Sequence, residues 1–399
     1  MNFSPAAFLV ASAFISLFCF GLSDNLRGPL FVELLNHYKL NQTQGSFLWA
    51  TASFFGFFGS YFYPYISKRT VFETLTPWTL FVMSLAFFFI GLNDLSYIGV
   101  LGGSAIFGIV MGVLGVHINV LIHRGIAPNR QAPFYAGLHA MYALSSLVAP
   151  LGVVAVAAAG AHWRSSFDCV AFLSLIMACF LGYASRNKQI KTFLAQSAPP
   201  ETPKMSEQNV QNSDWGFVIL FALMLGGYVV AEIMISSRLA TYLRQVMGMG
   251  LTTSSYLAAV FFLGLFSTRA LLFFHPMKFQ SFSQLLSSNI LSLVFIIGGI
   301  AIHPYFLCLT GFTMGLFYPM SMVYLAEKFP SKMSKILSQT QALQALMIMT
   351  MHLMMGILAD QIGMRLSFLY GLTFLVISTA ALLLFERAYQ NLYLKEKHV

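Results

Sequence analysis

Long apolar runs separated by short polar breaks dominate the sequence. About a dozen apolar blocks of roughly 20 residues follow one another along the chain. A helix of that length spans a hydrocarbon core about 30 Å thick. Runs such as 80–92 and 366–385 do not alternate in polarity as a transmembrane β-strand does. Because lipid offers no water to unpaired backbone groups, these blocks predict membrane-spanning helices.

One long polar stretch, rich in Pro, Ser and Gln, divides the chain at 186–214 and predicts a flexible cytoplasmic linker. Six predicted spans lie on each side of it. The sequence therefore predicts an all-α membrane protein with six-helix bundles at 1–185 and 215–399, a layout typical of transporters built from parallel repeats. The predicted spans are 5–35, 44–66, 75–93, 96–122, 134–159, 164–185, 215–243, 251–274, 282–302, 304–326, 336–358 and 365–385.

Composition excludes a soluble domain, since 9% of the residues are charged against about 25% in typical soluble proteins. The four cysteines, Cys19, Cys169, Cys179 and Cys308, all fall inside apolar blocks and predict small buried side chains rather than disulfides. The net charge of +9 comes from basic residues scattered singly in loops. We therefore expect the protein to lie in a lipid bilayer and not to bind nucleic acid.

The distribution of Lys and Arg predicts the orientation of the chain. With the amino terminus in the cytoplasm, fifteen of the 22 basic residues fall on the cytoplasmic side, four on the opposite side and three within spans. Cytoplasmic loops of membrane proteins carry such an excess. We expect both termini, including a short carboxyl-terminal tail, in the cytoplasm, and the inner membrane of a bacterium as the location.

Two carboxylates fall deep inside predicted spans, Asp24 in span 1 and Glu232 in span 7. A charge at the bilayer centre costs about 2.5–3.5 kcal/mol on insertion scales, and such residues are functional by default. Both spans open a six-helix half, so we predict that Asp24 and Glu232 border a wet cavity and carry a proton. Arg27 lies three residues from Asp24, on the same helix face. The alternative for this pair is a fixed ion pair.

Further polar side chains within the spans form a candidate substrate-binding set. Amides, guanidinium groups and aromatic rings suit a small polyhydroxylated ligand. The alternative for each single residue is an interhelical hydrogen bond. The predicted set is Asn25, Arg27, His117, Asn119, His139, Tyr142, Tyr228, Arg238, Tyr318, Gln341 and Gln344.

The sequence indicates neither metal chemistry nor enzymatic catalysis. His117, His139 and His352 lie on three different spans without the spacing of a metal site. No ATP-binding loop and no nucleophile elbow is present. We therefore expect no cofactor, no metal and no enzyme activity.

Several short motifs resemble the fucose–galactose–glucose:proton symporter branch of the major facilitator superfamily. The segment 21–30 resembles its first helix, residues 228–242 its seventh, and Phe317-Tyr318-Pro319 a Tyr-Pro step in its tenth. Residues 356–363 and 138–152 also fit. The resemblance implies a twelve-helix transporter that works as a monomer by alternating access and takes up a sugar together with a proton.

The motifs also depart from that branch, and these departures leave other functions open. The acids of its helices 1 and 4 correspond here to Gly28 and Gly115, although Asp24 lies one turn before Gly28 on the same face. Glu232 stands where the branch has a neutral amide, and the loop 67–70 lacks the superfamily's acid. An uncoupled uniporter and an exporter of drugs or amphiphiles are alternatives. A channel and an intramembrane enzyme are alternatives from other classes.

Overall fold

The chain folds into two compact units of α-helices. The computed structural model describes residues 4–69, 72–92, 95–126, 131–187, 189–190, 192, 212–274, 280–329 and 332–393. All regular secondary structure in these ranges is helical. The first unit comprises Met1–Lys39 and Phe47–Gln208, and the second comprises Leu40–Ser46 and Asn209–Val399. The predicted linker at 186–214 falls largely outside the described residues.

The helices of the amino-terminal part, in chain order, are α1 (Pro5–Leu26), α2 (Phe31–Tyr38), α3 (Gln42–Arg69), α4 (Phe72–Gly91), α5 (Tyr97–Gly125), α6 (Gln131–Ala158) and α7 (Ser165–Ala184). Helix α3 begins in the second unit and continues from Phe47 in the first. Within the first unit, α1 packs against α5 and α6, and α4 packs against α5 and α7.

The helices of the carboxyl-terminal part are α8 (Asn212–Met247), α9 (Leu251–Phe274), α10 (Ser281–Ala301), α11 (Tyr305–Met314), α12 (Phe317–Lys328), α13 (Met333–Ser367) and α14 (Leu369–Tyr393). Helix α8 is the centre of this unit, in contact with α9, α13 and α14, while α11 packs against α9 and α10. Eleven stretches of described helix are long and apolar enough to cross a membrane. Helix α3 is not among them.

Two of the predicted spans are each divided into two helices. Span 1 breaks at 27–30 into α1 and α2, because Pro29 has no N–H to continue the ladder and disfavours helical backbone at Gly28. Span 10 breaks between α11 and α12 at Gly315 and Leu316. Helix α13 runs past its predicted end and bends at Gly363, whose φ of 83° lies in the left-handed region that favours glycine.

In the first unit, α3 and α5 touch backbone to backbone through glycines. A Cβ atom added at Gly108 would overlap the carbonyl oxygen of Ala52, and one added at Gly112 would overlap that of Gly56. Gly108 and Gly112 are four residues apart, so they lie on one face of α5. Without a hydrophobic force between helices in lipid, such close packing is what holds two spans together.

The second unit repeats this contact between α9 and α11. A Cβ atom at Gly311 would overlap the carbonyl oxygen of Phe261, and one at Gly315 would lie 2.9 Å from that of Leu265. Gly264 meets the same stretch of α11 from the other side. The fourth predicted span therefore packs on the second, and the tenth packs on the eighth, through the same glycine spacing. This correspondence supports the parallel repeat.

The first turn of α3 is held inside the second unit by a carboxylate of α13. Asp360 accepts hydrogen bonds from the backbone N–H groups of Gln42 and Thr43, at 2.9 and 2.8 Å, and from the Thr43 hydroxyl at 2.6 Å. The first N–H groups of a helix have no partner within it, and a carboxylate there also offsets the helix dipole. Gly356, one turn earlier on α13, allows the approach, since a Cβ there would overlap the Ser46 hydroxyl.

We predict that Asp360→Ala lowers the free energy of unfolding by about 0.5–2 kcal/mol, the range for loss of a helix cap. Thermal unfolding of the purified protein measures it. Ser4→Ala is the matched control, because Ser4 caps α1 through a single 3.3 Å hydrogen bond from Ala7 and stands exposed. An equal loss from both variants would contradict the special role of Asp360.

Candidate transport site

The carboxylate of Asp24 forms an ion pair with Arg27 at the end of α1. The guanidinium donates from Nη2 to the Asp24 side chain and from Nε to the Asp24 backbone carbonyl at 3.3 Å. Arg27 is only 3% exposed, whereas Asp24 keeps 24% of its side chain accessible. The carboxylate is therefore the part of the pair that a proton or a solute can reach.

Helix α6 supplies the other partners of Asp24. Tyr142 donates its phenolic proton to the second carboxylate oxygen at 2.8 Å. The amide of Asn25 donates to the Tyr142 oxygen at 3.2 Å and to the Ser146 hydroxyl at 2.8 Å. Gly21 makes this closeness possible, since a Cβ there would overlap the Ser145 hydroxyl on α6. Asp24, Asn25, Arg27 and Tyr142, all predicted from the sequence, thus form one connected cluster.

The guanidinium of Arg27 also lies against aromatic rings. Its central carbon is 5.1 Å from the ring centre of Phe107 and 5.9 Å from that of Trp49, within the range of cation–π attraction. Its Nη1 has no hydrogen-bond partner among the described residues. A buried donor without a partner carries a desolvation cost of about 1–3 kcal/mol. This nitrogen is therefore a free donor at the edge of the cluster.

We predict that Tyr142→Phe destabilises the protein by about 1.5–3 kcal/mol, the usual worth of a hydrogen bond to a charged group. The phenol is the α6 donor to Asp24, and Phe keeps the ring but removes the proton. Thermal unfolding measures the change. Tyr61→Phe removes a phenol that is 68% exposed and is expected to leave the midpoint unaltered. Equal midpoints for the two variants would show that the Tyr142 contact contributes nothing.

The second unit contains a comparable cluster around Glu232 on α8. Arg269 of α9 donates from Nη2 to both carboxylate oxygens, at 3.1 and 3.2 Å. The Tyr228 phenol lies in hydrogen-bond contact with Glu232 and with the Met314 carbonyl, so its single proton serves two acceptors. Tyr228 is fully buried and stacks on Phe317, with ring centres 4.3 Å apart. Glu232 keeps 13% of its side chain accessible.

Three further predicted residues of the second unit are Tyr318, Gln341 and Gln344. The Tyr318 hydroxyl lies within reach of the Gln341 side chain and near both Glu232 and Arg269. Gln341 is exposed and Gln344 is half-buried. The side-chain carbonyl of Gln344 has no partner among the described residues. Tyr318 and Gln341 therefore extend the Glu232 cluster with a phenol and an amide.

The predicted residues on α5 and α6 outside the Asp24 cluster are placed differently. His117 is fully buried, with Nδ1 3.0 Å from the Tyr63 hydroxyl and Nε2 3.1 Å from the Thr76 hydroxyl. It therefore joins α3, α4 and α5 inside the first unit. Asn119 donates to the Gly115 carbonyl at 2.7 Å and is half-buried, as is His139.

Arg238 lies on α8, six residues beyond Glu232. It is fully buried and donates to the Ser46 hydroxyl, with the Gln42 side-chain oxygen at 3.5 Å. Its described contacts therefore secure the first turn of α3 within the second unit, beside the bonds from Asp360. The substrate contact that the sequence predicts for Arg238 stays a prediction beside these contacts.

The sequence analysis did not assign a role at the site to Arg269, the ion-pair partner of Glu232. It is one of three arginines within predicted spans, and that position in an apolar helix was the available signal. Its partner Glu232 lies 37 residues away, so no helical spacing relates them. Only packing of α9 against α8 brings the two charges together.

These observations define a class of protein: a polytopic helical membrane protein of two units, each with a partly accessible acid paired with an arginine and a tyrosine inside apolar helices. The sequence profile of the Major Facilitator Superfamily matches residues 13–351. The chain belongs to this superfamily, which confirms the predicted fold and indicates a transporter rather than an enzyme.

Solved structures share the fold at low sequence identity. A bacterial homologue of the human lysosomal transporter Spinster, in an inward-facing and unoccupied conformation, superposes with a TM-score of 0.75 at 14% identity, covering 98% of this chain and 99% of its own. A D-xylose–proton symporter gives a TM-score of 0.72 at 15% identity, covering 95% and 96%. No protein of curated function matches the sequence.

Proposed function

We propose that this protein is a proton-coupled secondary transporter that takes up a small polar, sugar-like solute by alternating access. One observation carries the proposal: each unit places a partly accessible carboxylate on its first long helix, paired with an arginine and in contact with a tyrosine hydroxyl. Ionisable side chains in apolar helices are costly to place in a membrane, and for that reason a functional role is the default interpretation of such clusters. The structural similarity to a D-xylose–proton symporter supports the choice of solute and ion.

The clusters suggest how a proton and a solute are coupled. A proton on Glu232 removes the negative charge that holds the Arg269 guanidinium, so its donors become available to hydroxyl groups of a solute. Loss of the proton restores the ion pair and expels the solute. Asp24 and Arg27 form the corresponding ion pair in the first unit, where Arg27 Nη1 has no hydrogen-bond partner among the described residues.

For the solute, we propose contacts from the residues that the clusters bring together. In the first unit these are Asn25, Arg27 and Tyr142, with Asn119 and His139 as more distant candidates. In the second they are Tyr228, Tyr318, Gln341 and Gln344. We assign His117 and Arg238 to positioning, because their described hydrogen bonds run to side chains of neighbouring helices: Tyr63 and Thr76 for His117, and Ser46 for Arg238. Rings pack on the CH faces of a sugar, while amides and guanidinium groups bind its hydroxyls.

The rest of the proposal follows the sequence pattern. We infer bundles at 1–185 and 215–399 with a cytoplasmic linker at 186–214, both termini in the cytoplasm, a monomer, and the bacterial inner membrane. Within the superfamily, the motifs at 21–30 and 228–242 favour the fucose–galactose–glucose:proton symporter branch.

The test is uptake by purified protein in proteoliposomes, with a panel of sugars, sugar acids and amphiphilic cations. For one proton per solute, a gradient of one pH unit sustains about tenfold accumulation, because one pH unit corresponds to 1.36 kcal/mol. We expect such accumulation of at least one sugar-like solute, abolished by a protonophore. Accumulation of amphiphiles alone would indicate an exporter. Downhill flux whose rate does not depend on the pH gradient would indicate a uniporter.

A further inference from the structure

A groove of about 730 Å³ runs along the surface of the first unit between α4 and α7. Its volume lies within the range of about 300–1,000 Å³ typical of small-molecule sites. The walls are apolar and open outward: Leu85, Phe88 and Phe172 are 51%, 56% and 66% exposed. Since α4 and α7 both provide membrane-spanning stretches, the molecules that reach this groove are those of the bilayer.

A single carboxylate interrupts the apolar lining. Asp168, in the first turn of α7, lines the groove and is half-buried. Within the described part of the chain, no hydrogen bond and no ion pair reaches its carboxylate. The other polar side chain of the lining, Ser84, already donates to the Ala171 carbonyl at 2.7 Å. The groove therefore offers a ligand one unsatisfied polar group, and that group only accepts hydrogen bonds when ionised.

The position of Asp168 in the first turn of α7 explains why a negative charge is tolerated there, but it leaves the carboxylate without a hydrogen-bond donor. A carboxylate in the first turn of a helix offsets the helix dipole, worth about 0.3–1 kcal/mol. The carboxylate, however, leans across to α4, where a Cβ added at Gly91 would lie 2.5 Å from Asp168 Oδ1. It thus stands beside the carboxyl end of α4, where the dipole disfavours a negative charge. A cationic donor from outside the protein would satisfy it.

We propose that this groove binds a membrane phospholipid whose headgroup ends in a primary ammonium group. Its acyl chain lies along the outward side chains of Phe88, Phe172 and Ile176, and its ammonium group donates to the Asp168 carboxylate. A quaternary ammonium headgroup brings charge without an N–H donor, and an anionic headgroup is repelled. The site therefore distinguishes phosphatidylethanolamine from phosphatidylcholine and phosphatidylglycerol. It is separate from the Asp24 and Glu232 clusters and does not depend on the proposed function.

Cys169 and Cys179 of α7 are exposed, so the prediction of buried cysteines is wrong for these two and holds for Cys19 and Cys308. The two exposed cysteines make the test specific. Cys169 lines the groove, whereas Cys179 lies on the same helix outside its lining, and both are exposed. A bimane fluorophore on Cys169 in a Cys179→Ala background reports lipid at the groove. A bimane fluorophore on Cys179 in a Cys169→Ala background reports lipid elsewhere on α7. Quenching is measured in vesicles of phosphatidylcholine that contain brominated phosphatidylethanolamine or brominated phosphatidylcholine at equal mole fractions.

At Cys169 we expect the ethanolamine lipid to compete about fivefold better than the choline lipid, the ratio that one additional hydrogen bond of about 1 kcal/mol provides. At Cys179 we expect equal quenching by both. Asp168→Asn is expected to remove the preference at Cys169, and Asp168→Glu to keep it. Native mass spectrometry of the unlabelled protein is expected to show the same order. Equal quenching at Cys169 in the unchanged protein, or a preference that survives Asp168→Asn, would overturn the proposal.

Discussion

Glu232→Gln is expected to abolish uphill accumulation of solute while leaving solute exchange across the membrane intact. Glutamine keeps the size and one acceptor of the side chain but takes up no proton at physiological pH. Accumulation driven by one pH unit should therefore fall from about tenfold to none. Proteoliposome uptake under a pH gradient measures coupling, and counterflow with preloaded solute measures exchange. Full accumulation by this variant would exclude Glu232 as the proton carrier.

The Glu232 variant needs a control for folding, because it leaves the buried Arg269 without its carboxylate. Removal of one partner of a buried ion pair costs about 3–5 kcal/mol. In the double variant Glu232→Gln/Arg269→Gln the uncompensated charge is gone, so thermal stability is expected to recover. Coupling is not expected to recover. If the double variant accumulates solute, the loss in the single variant reflects misfolding.

Gly108→Val is expected to prevent accumulation of folded protein in the membrane. The added side chain would press on the carbonyl oxygen of Ala52, a backbone atom that has no rotamer to escape into. Overpacking typically costs about 1–3 kcal/mol, and a contact with backbone belongs at the upper end of that range. The yield of monodisperse protein and its unfolding midpoint measure the effect.

The same helix supplies a matched control for Gly108. Gly102 also lies on α5, but no atom lies within 4 Å of a Cβ built there. Gly102→Val is therefore expected to give protein of normal yield and stability. A similar loss for both variants would point to helix propensity rather than to the contact between α3 and α5. Gly311→Val should reproduce the Gly108 result in the second unit, where the overlap is with Phe261.

Hydropathy predicted the helical spans well because burial in lipid acts on each span separately. The interruptions were harder, although their causes are local. Gly28-Pro29 reads as part of one long apolar block, yet the missing N–H of Pro29 divides it into α1 and α2. Gly363 bends α13 only because the chain there adopts a positive φ, which the spacing of apolar residues does not reveal.

The site was predictable in part, according to how far apart its members lie in the chain. Asp24 and Arg27 are three residues apart on α1, so their contact followed from helix geometry. Tyr142 is 118 residues from Asp24, and Arg269 is 37 from Glu232. These contacts depend on which helices pack together. For the same reason, the sequence did not indicate that Arg238 contacts Ser46 and Gln42.

The early end of α1 makes the two acids unequal. Arg27 occupies the residue just after the last turn of α1, where free backbone carbonyls present partial negative charge. A cation there keeps some compensation when Asp24 is neutral. Arg269 lies within α9, five residues before its end, and donates to Glu232 and to the Gly315 carbonyl. Under the proposed coupling, Arg27 therefore keeps the partial negative charge of its helix end when Asp24 is protonated, whereas Arg269 stands apart from the end of its own helix.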